Sequence, residues 1–297
     1  MSPLLRGALA AGALGTSALA YATLIERHWF ALRQVSLPVL HTAARRPLRV
    51  LHLSDLHLPP HHTPIEEFVR DCFAQRPDLV VLTGDIVGHA GAIDRAVSLL
   101  DRLDGAIGLA VLGSNDWFGP APKNPLRYFR PPDEYVHGTR LDTDRLVAGL
   151  DQAGWVVLEN RRELIDTPAG PVDAVGLADP HLGFDRPHVL DWSAPEVPVA
   201  LRLGIVHAPY LRVLDLFDRR GFDLLMAGHT HGGQVRVPGV GALVTNCDLS
   251  PKQARGASRH GEHLWLHVSA GAGQSIYAPI RFACRPEASL VDLVPAR

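Results

Sequence analysis

The chain has 297 residues, with 29 Lys and Arg against 31 Asp and Glu, a formal net charge of −2 at pH 7. Near-balanced charge without a basic stripe argues against a nucleic-acid footprint. Its three cysteines, Cys72, Cys247 and Cys284, form no Cys-x-x-Cys, which argues against a disulfide framework or a thiolate zinc site and leaves buried free thiols as the expectation.

Ala8 to Ile25 is uncharged and rich in Ala, Leu and Gly. Its length sits at the low end of the ~17–25 residues that span a bilayer. Residues 1–28 therefore read as a hydrophobic anchor, with a cleaved signal peptide or a peripheral amphipathic segment as alternatives; Ala18-Leu19-Ala20 and Ala20-Tyr21-Ala22 resemble small-x-small cleavage sites. Arg27, Arg33, Arg45, Arg46 and Arg49 outnumber Arg6, so the rest of the chain is expected on the cytoplasmic side of the cell membrane, with export as the alternative. Residues 29–47 read as a tether in which Val35–Val39 forms an edge strand. Residues 48–297 then form one domain.

Short strand-like runs follow at Arg49–Ser54, Leu79–Thr83, Ile107–Leu112, Leu201–Val206 and Leu224–Ala227. Further strands are expected at Trp155–Leu158, Glu163–Ile165, Val172–Leu177, Leu264–Val268 and Ser289–Leu293. Thr63, Pro64 and Glu66 have the spacing of a capping box that opens a helix running through Gln75. Ile93 to Leu103 gives a second helix. Thr143 is expected to cap a third, with Leu146, Val147 and Leu150 inward. Alternation of strands and helices predicts an α/β layered fold, with a second, more antiparallel sheet built from the later runs.

Each of the first five runs ends in groups that bind metals. The endings are Asp55-Leu56-His57, Gly84-Asp85, Gly113-Ser114-Asn115-Asp116, His207 and Gly228-His229-Thr230-His231-Gly232-Gly233-Gln234. Ligands of open α/β sheets bind at the carboxyl ends of strands. In extended chain, residues i and i+2 share a side, so His229 and His231 face one site together. Carboxylate and imidazole ligands suit Zn, Mn or Fe. Six of them exceed one tetrahedral site and fit two divalent ions ~3.5–4 Å apart.

In this order and spacing the motifs resemble the calcineurin-like metallophosphoesterases over about Leu48 to Val294. Within them, Gly-His-Thr-His-Gly-Gly-Gln is similar to a bacterial membrane-associated branch that includes UDP-2,3-diacylglucosamine pyrophosphatases. The resemblance implies an α/β, four-layer sandwich of two mixed β-sheets flanked by helices. It implies Asp85 as the bridge between two metals, with Asp55, His57 and His231 completing one site and His207 and His229 the other, beside an amide oxygen. It also implies a binuclear phosphoesterase acting on a phosphodiester or pyrophosphate, possibly lipid-linked or on a nucleotide, by in-line attack of metal hydroxide at phosphorus. Asp85, Asn115 and His207 take the catalytic parts.

The third motif departs from the family's Gly-Asn-His-Asp. Aligned without a gap, Ser114 takes the metal-binding Asn position and Asn115 takes that of the catalytic His. A one-residue shift instead brings the Asn115 amide to the metal. Either way the His is missing, and an amide cannot act as a general acid. Good leaving groups are then expected to react best, unless His61, His62 or His181 substitutes. The Pro-rich stretch Phe118–Tyr135 carries Lys123, Arg127 and Arg130, which are expected to bind substrate phosphate. The altered motif also supports a second reading, a catalytically impaired, metal-dependent binding or regulatory protein on the same fold.

Overall fold

The computed structural model describes residues 2–121 and 138–296. Lys123, Arg127 and Arg130 lie outside the described residues.

Among the described residues, fourteen strands are distributed over two large sheets and one short hairpin. They are β1 (Ala31–Leu40), β2 (Leu48–Leu53), β3 (Leu79–Thr83), β4 (Ile107–Val111), β5 (Trp155–Val157), β6 (Arg161–Thr167), β7 (Gly170–Gly176), β8 (Leu201–Ile205), β9 (Leu224–Ala227), β10 (Arg236–Val237), β11 (Gly241–Ala242), β12 (Gly256–His260), β13 (Leu264–Val268) and β14 (Glu287–Pro295). The first sheet runs β1-β14-β2-β3-β4-β5 and the second β12-β13-β9-β8-β7-β6. The helices are α1 (Pro3–Ala20), α2 (Pro64–Phe73), α3 (Ile93–Leu100), the single turn α4 (Ser114–Trp117), α5 (Thr143–Gln152) and α6 (Leu211–Arg219).

The two sheets face each other across an apolar middle layer. Along β2 the side chains alternate between faces: Leu48 and Val50 enter the layer shared with Leu203, Ile205, Leu224 and Met226, whereas Leu51 and Leu53 join the core under α2, α3 and α5. Helix α6 covers the outer face of the second sheet, with Val213, Leu214 and Phe217 buried against Phe222, Leu225 and Leu266. The molecule is thus two mixed sheets between flanking helices, as the four-layer expectation requires.

Four details differ from the sequence expectation. The second sheet is parallel at its centre, through the pairs β7–β8, β8–β9 and β9–β13, and antiparallel only at its β6 and β12 edges. The Thr63 side chain makes no capping bond, and the Glu66 carboxylate pairs with Arg95, with N–O distances of 2.6 and 3.2 Å. Asp142, not Thr143, caps α5 by accepting from the Arg145 N–H. Within residues 29–47, nine of the ten residues of β1 pair in parallel with β14 at the sheet edge, with a register shift at Val39.

The amino-terminal helix is built into the domain at its base. Residues Pro3–His28 form one helical stretch that is long and apolar enough to cross a membrane, and α1 buries none of its residues. Its 18 residues rise about 27 Å, close to the ~30 Å of a bilayer's hydrocarbon. Below α1, Glu26 is 2% exposed and accepts from the N–H groups of Ala283 and Cys284 at 2.9 and 2.6 Å. Arg281 N–H donates to the Ala22 carbonyl at 3.1 Å, and Tyr21 meets Phe282 edge to face.

Candidate metal centre

The carboxyl ends of β2, β3, β4, β8 and β9 converge between the two sheets, and the residues read from the sequence meet there. Asp55, His57, Asp85, His207, His229 and His231 are all buried. Ligand atoms of Asp55, His57 and His231 lie within 4.8 Å of one another, as do those of Asp55, Asp85 and His207. His57 Nε2 is 3.2 Å from His231 Nε2 and 3.4 Å from Asp85 Oδ2. His207 Nε2 lies 3.6 Å from Asp85 Oδ1 and 3.3 Å from His229 Nδ1. Asp85 therefore stands between the two histidine pairs, one carboxylate oxygen turned to each.

The donor set fits divalent cations. Facing imidazole nitrogens repel unless a proton or a cation lies between them, and this centre holds two such pairs. In the His207–His229 pair the outer nitrogens are oriented as metal-bound histidines require. His207 Nδ1 contacts the Thr83 carbonyl at 2.7 Å and His229 Nε2 contacts the Asn246 carbonyl at 3.2 Å, so in each ring the N–H faces outward and the other nitrogen faces the centre.

The backbone is strained at the same residues. Asp55 (φ 49°), His57 (φ 44°), Asp85 (φ 52°), His229 (φ 68°) and His231 (φ 49°) all adopt left-handed conformations. Such conformations are uncommon outside glycine and cost of order 1–3 kcal/mol each. Five in one cluster mark a site whose geometry overrides local preference. Close packing explains the neighbouring glycines: a Cβ at Gly113 would collide with Asp85 Oδ1, and one at Gly228 with Ser54 Oγ.

Electrostatics follow from burial and crowding. Burial alone would raise the Asp85 pKa, yet His207, His57 and the Asn115 N–H hold it well below the usual carboxylate range. Burial would lower His207, but Asp85, Asp179 and Asp55 push it up to about 9. His229 and His231 are driven well down by burial and by their neighbouring histidines. Behind the centre, burial raises Asp116 and Asp179 to about 7 and Glu159 to about 8.

The altered third motif settles against Asp85. The Asn115 backbone N–H donates to Asp85 Oδ1 at 2.8 Å and its side-chain amide to Oδ2 at 2.7 Å. Asn115 thus meets the centre through two N–H donors to Asp85. Asp116 accepts from Gly113, Ile86 and Val87 N–H groups, which ties the β3 and β4 loops together. Of the histidines offered as substitutes for the missing one, His61 is exposed and His62 lies 3.6 Å from Glu66. His181 is at the site: its ring centroid is 4.4 Å from that of His229 and its Nδ1 is 2.9 Å from the Tyr210 hydroxyl.

Three supporting residues escaped the sequence reading. Arg281 is fully buried, donates to the carbonyls of His231, Ala270, Gly271 and Gly273, and reaches His231 Nδ1 at 3.3 Å. Its charge opposes protonation of His231. His52 and His267 supply a relay to Asp55. Ser54 Oγ donates to Asp55 Oδ2 at 2.6 Å, and Thr83 Oγ1 donates to Ser54 at 2.7 Å. With its proton so committed, Thr83 accepts from His52 Nε2 at 3.0 Å, and His52 Nδ1 then accepts from His267 Nδ1 at 2.9 Å. Only the strand positions of the two histidines hint at this, since both fall within runs of apolar residues.

Comparison with known proteins agrees with the geometry. The family model for calcineurin-like phosphoesterases matches residues 48–233. An uncharacterized metallophosphoesterase, YkoQ, of Bacillus subtilis strain 168 is 30% identical over 82% of this chain and 83% of its own length. Phosphodiesterase YaeI of Escherichia coli K12 is 29% identical over 97% of both chains. A bovine transmembrane protein with a metallophosphoesterase domain is 26% identical over 84% of this chain, which spans 53% of that relative. Among solved structures, the phosphopantetheinyl hydrolase of Mycobacterium tuberculosis covers 80% of this chain and 92% of its own at 13% identity and a TM-score of 0.44. On the family match and the shared length of its bacterial relatives, the chain belongs to the calcineurin-like phosphoesterase family.

Proposed function

We propose that the protein is a membrane-anchored, binuclear-metal phosphoesterase that hydrolyses a phosphodiester or pyrophosphate. The observation that carries this reading is the position of Asp85 between His57 and His207, one oxygen toward each. Asp55, His57 and His231 would hold one ion, and His207, His229 and the Asn115 amide the other. Two divalent ions so held supply a water of pKa near ~7 and charge neutralisation for phosphoryl oxygens. The remaining chemistry belongs to the chain. Burial keeps bulk water from the carboxylates. The Ser54–Thr83–His52–His267 relay fixes the rotamer of Asp55. Asn115 holds Asp85 from a second side.

The α1 helix supports attachment to a membrane, and the arginine bias after it supports a cytoplasmic catalytic domain. A substrate that is lipid-linked or a nucleotide near that surface suits both. Manganese, iron or zinc all match the donor set.

Asp85→Asn provides the test. The variant keeps the size of the side chain and removes the bridging charge. It should lower metal-dependent hydrolysis of bis-p-nitrophenyl phosphate by about 10³-fold or more while the circular dichroism and melting profile of the fold survive. Unchanged turnover in Asp85→Asn would overturn the assignment. A metal-loaded wild type inactive on every phosphoester would favour the binding-protein reading that the Ser114-Asn115 change raises.

A further inference from the structure

We infer that the β10–β11 hairpin and the 275–278 loop are a second membrane contact, seated in the same bilayer that receives α1. The inference rests on reading α1 as a membrane anchor and extends it to the face that carries the metal centre.

Exposed apolar side chains are concentrated there. Among the described residues beyond Trp29, nine large hydrophobics are exposed, and five of them fall on these two segments: Val237, Val240, Leu243, Ile276 and Tyr277. Val240, at the hairpin tip, is 72% exposed. Single exposed apolar residues are ordinary, but a contiguous set needs an occupant. Both segments are nearly uncharged. From Val235 to Val244 the one charged residue is Arg236, and from Gln274 to Ile280 there is none. A protein partner of opposite charge therefore finds no acidic or multiply basic complement.

The patch is continuous with the base of the anchor. Val235 pairs with Phe282, the Arg236 N–H donates to the Phe282 carbonyl at 2.9 Å, and the Gln234 amide donates to the Ala278 carbonyl. Phe282 is the same residue that Tyr21 meets, and its neighbours Arg281, Ala283 and Cys284 bind Ala22 and Glu26. Hairpin, loop and helix base are thus held in one hydrogen-bonded block. Beside it, Arg285 lies 4.2 Å over the ring of Trp29, which is 53% exposed. A tryptophan with an arginine at the end of an apolar helix suits the headgroup layer. An aliphatic hairpin beside that layer reaches the boundary of acyl chains, as interfacial apolar segments do.

The contact would also orient the site. The hairpin leaves the chain directly after His231-Gly232-Gly233-Gln234 and returns at Asn246, whose carbonyl receives His229 Nε2. Seating it in lipid turns the candidate metal centre toward the phosphate layer of the membrane.

Site-specific fluorescence tests this on the full chain reconstituted in vesicles of phosphatidylethanolamine and phosphatidylglycerol. A bimane label is placed at Val240→Cys, Ile276→Cys, Leu14→Cys or Val189→Cys, each in a Cys247→Ser background. The labels at 14, 240 and 276 should lose at least half their emission to brominated acyl chains and resist aqueous iodide, while the label at 189 shows the reverse. Lipid quenching at 14 alone would overturn the inference and leave the anchor standing. Quenching at none of the three would remove the anchor and the inference together. Protection of 240 and 276 from both quenchers would point to a second copy of the chain and would equally overturn it.

Discussion

His52 and His267 meet Nδ1 to Nδ1 at 2.9 Å across the space between the two sheets, one from β2 and the other from β13. Both are buried, and the apolar middle layer gives neither a counter-charge. Burial lowers His267 to about 4 and drives His52 well below its ordinary value. The pair is therefore neutral at physiological pH, with one ring donating and one accepting. It buttons the sheets together directly beneath Asp55.

A stability prediction follows from the sign of that shift. The unfolded chain takes up a proton on His267 below pH ~6.5, whereas the folded chain resists until about 4. Stability from the neutral ring is complete above ~6.5 and is lost as pH falls. His267→Asn keeps an N–H donor near the Nδ1 position and removes the titration. In chelator-treated protein, the wild type should lose about 2 kcal/mol more than His267→Asn between pH 6.5 and 5. Urea unfolding at the two pH values measures it, and parallel losses would contradict it.

Metal binding should release a proton. Before metal binds, burial would lower His207, but its acidic neighbours Asp85, Asp179 and Asp55 outweigh it and leave the ring protonated up to about pH 9. A metal needs the neutral ring. Calorimetric titration of Mn²⁺ into chelated protein at pH 7, in two buffers of different ionisation enthalpy, should show about one proton expelled per His207 site. Apparent affinity should fall about tenfold for each pH unit below 9. Binding with no proton release and no pH dependence would remove His207 from the ligand set.

The missing histidine of the third motif predicts leaving-group selectivity. Asn115 is committed to Asp85 through two hydrogen bonds and has no proton to give. Esters of p-nitrophenol, which leave without protonation, should react well. His181, from outside the motifs, packs against His229 with ring centroids 4.4 Å apart and planes tilted by 45°. His181→Gln should therefore lower kcat/KM for an alkyl diester by about 10²-fold and for bis-p-nitrophenyl phosphate far less. Equal losses on both substrates would assign His181 a structural part.

The sequence was most legible where chemistry and periodicity coincided. Strands β3, β9 and β13 have the bounds read from it, because each is a short apolar run closed by Gly, Asp or Ser. The six acidic and imidazole residues were legible because each follows such a run. What supports them was not. Arg281 lies fifty residues after His231 and is joined to it only by folding. His52 and His267 sit in different sheets, and nothing local tells a buried histidine from a solvated one. Helix α6 was missed because it is a nine-residue segment that leaves the His207 loop within four residues. At Thr63 the spacing was right but the side chain makes no cap, while Glu66 pairs with Arg95 from a different helix.

Metal content tests the central claim most directly. Full-length protein saturated with Mn²⁺, passed through a desalting column and analysed by inductively coupled plasma mass spectrometry should hold two ions per chain. Asp85→Asn, which lacks the charge facing both histidine pairs, should retain one or none with its fold intact. One ion in the wild type, or two in both proteins, would contradict a binuclear centre built on Asp85.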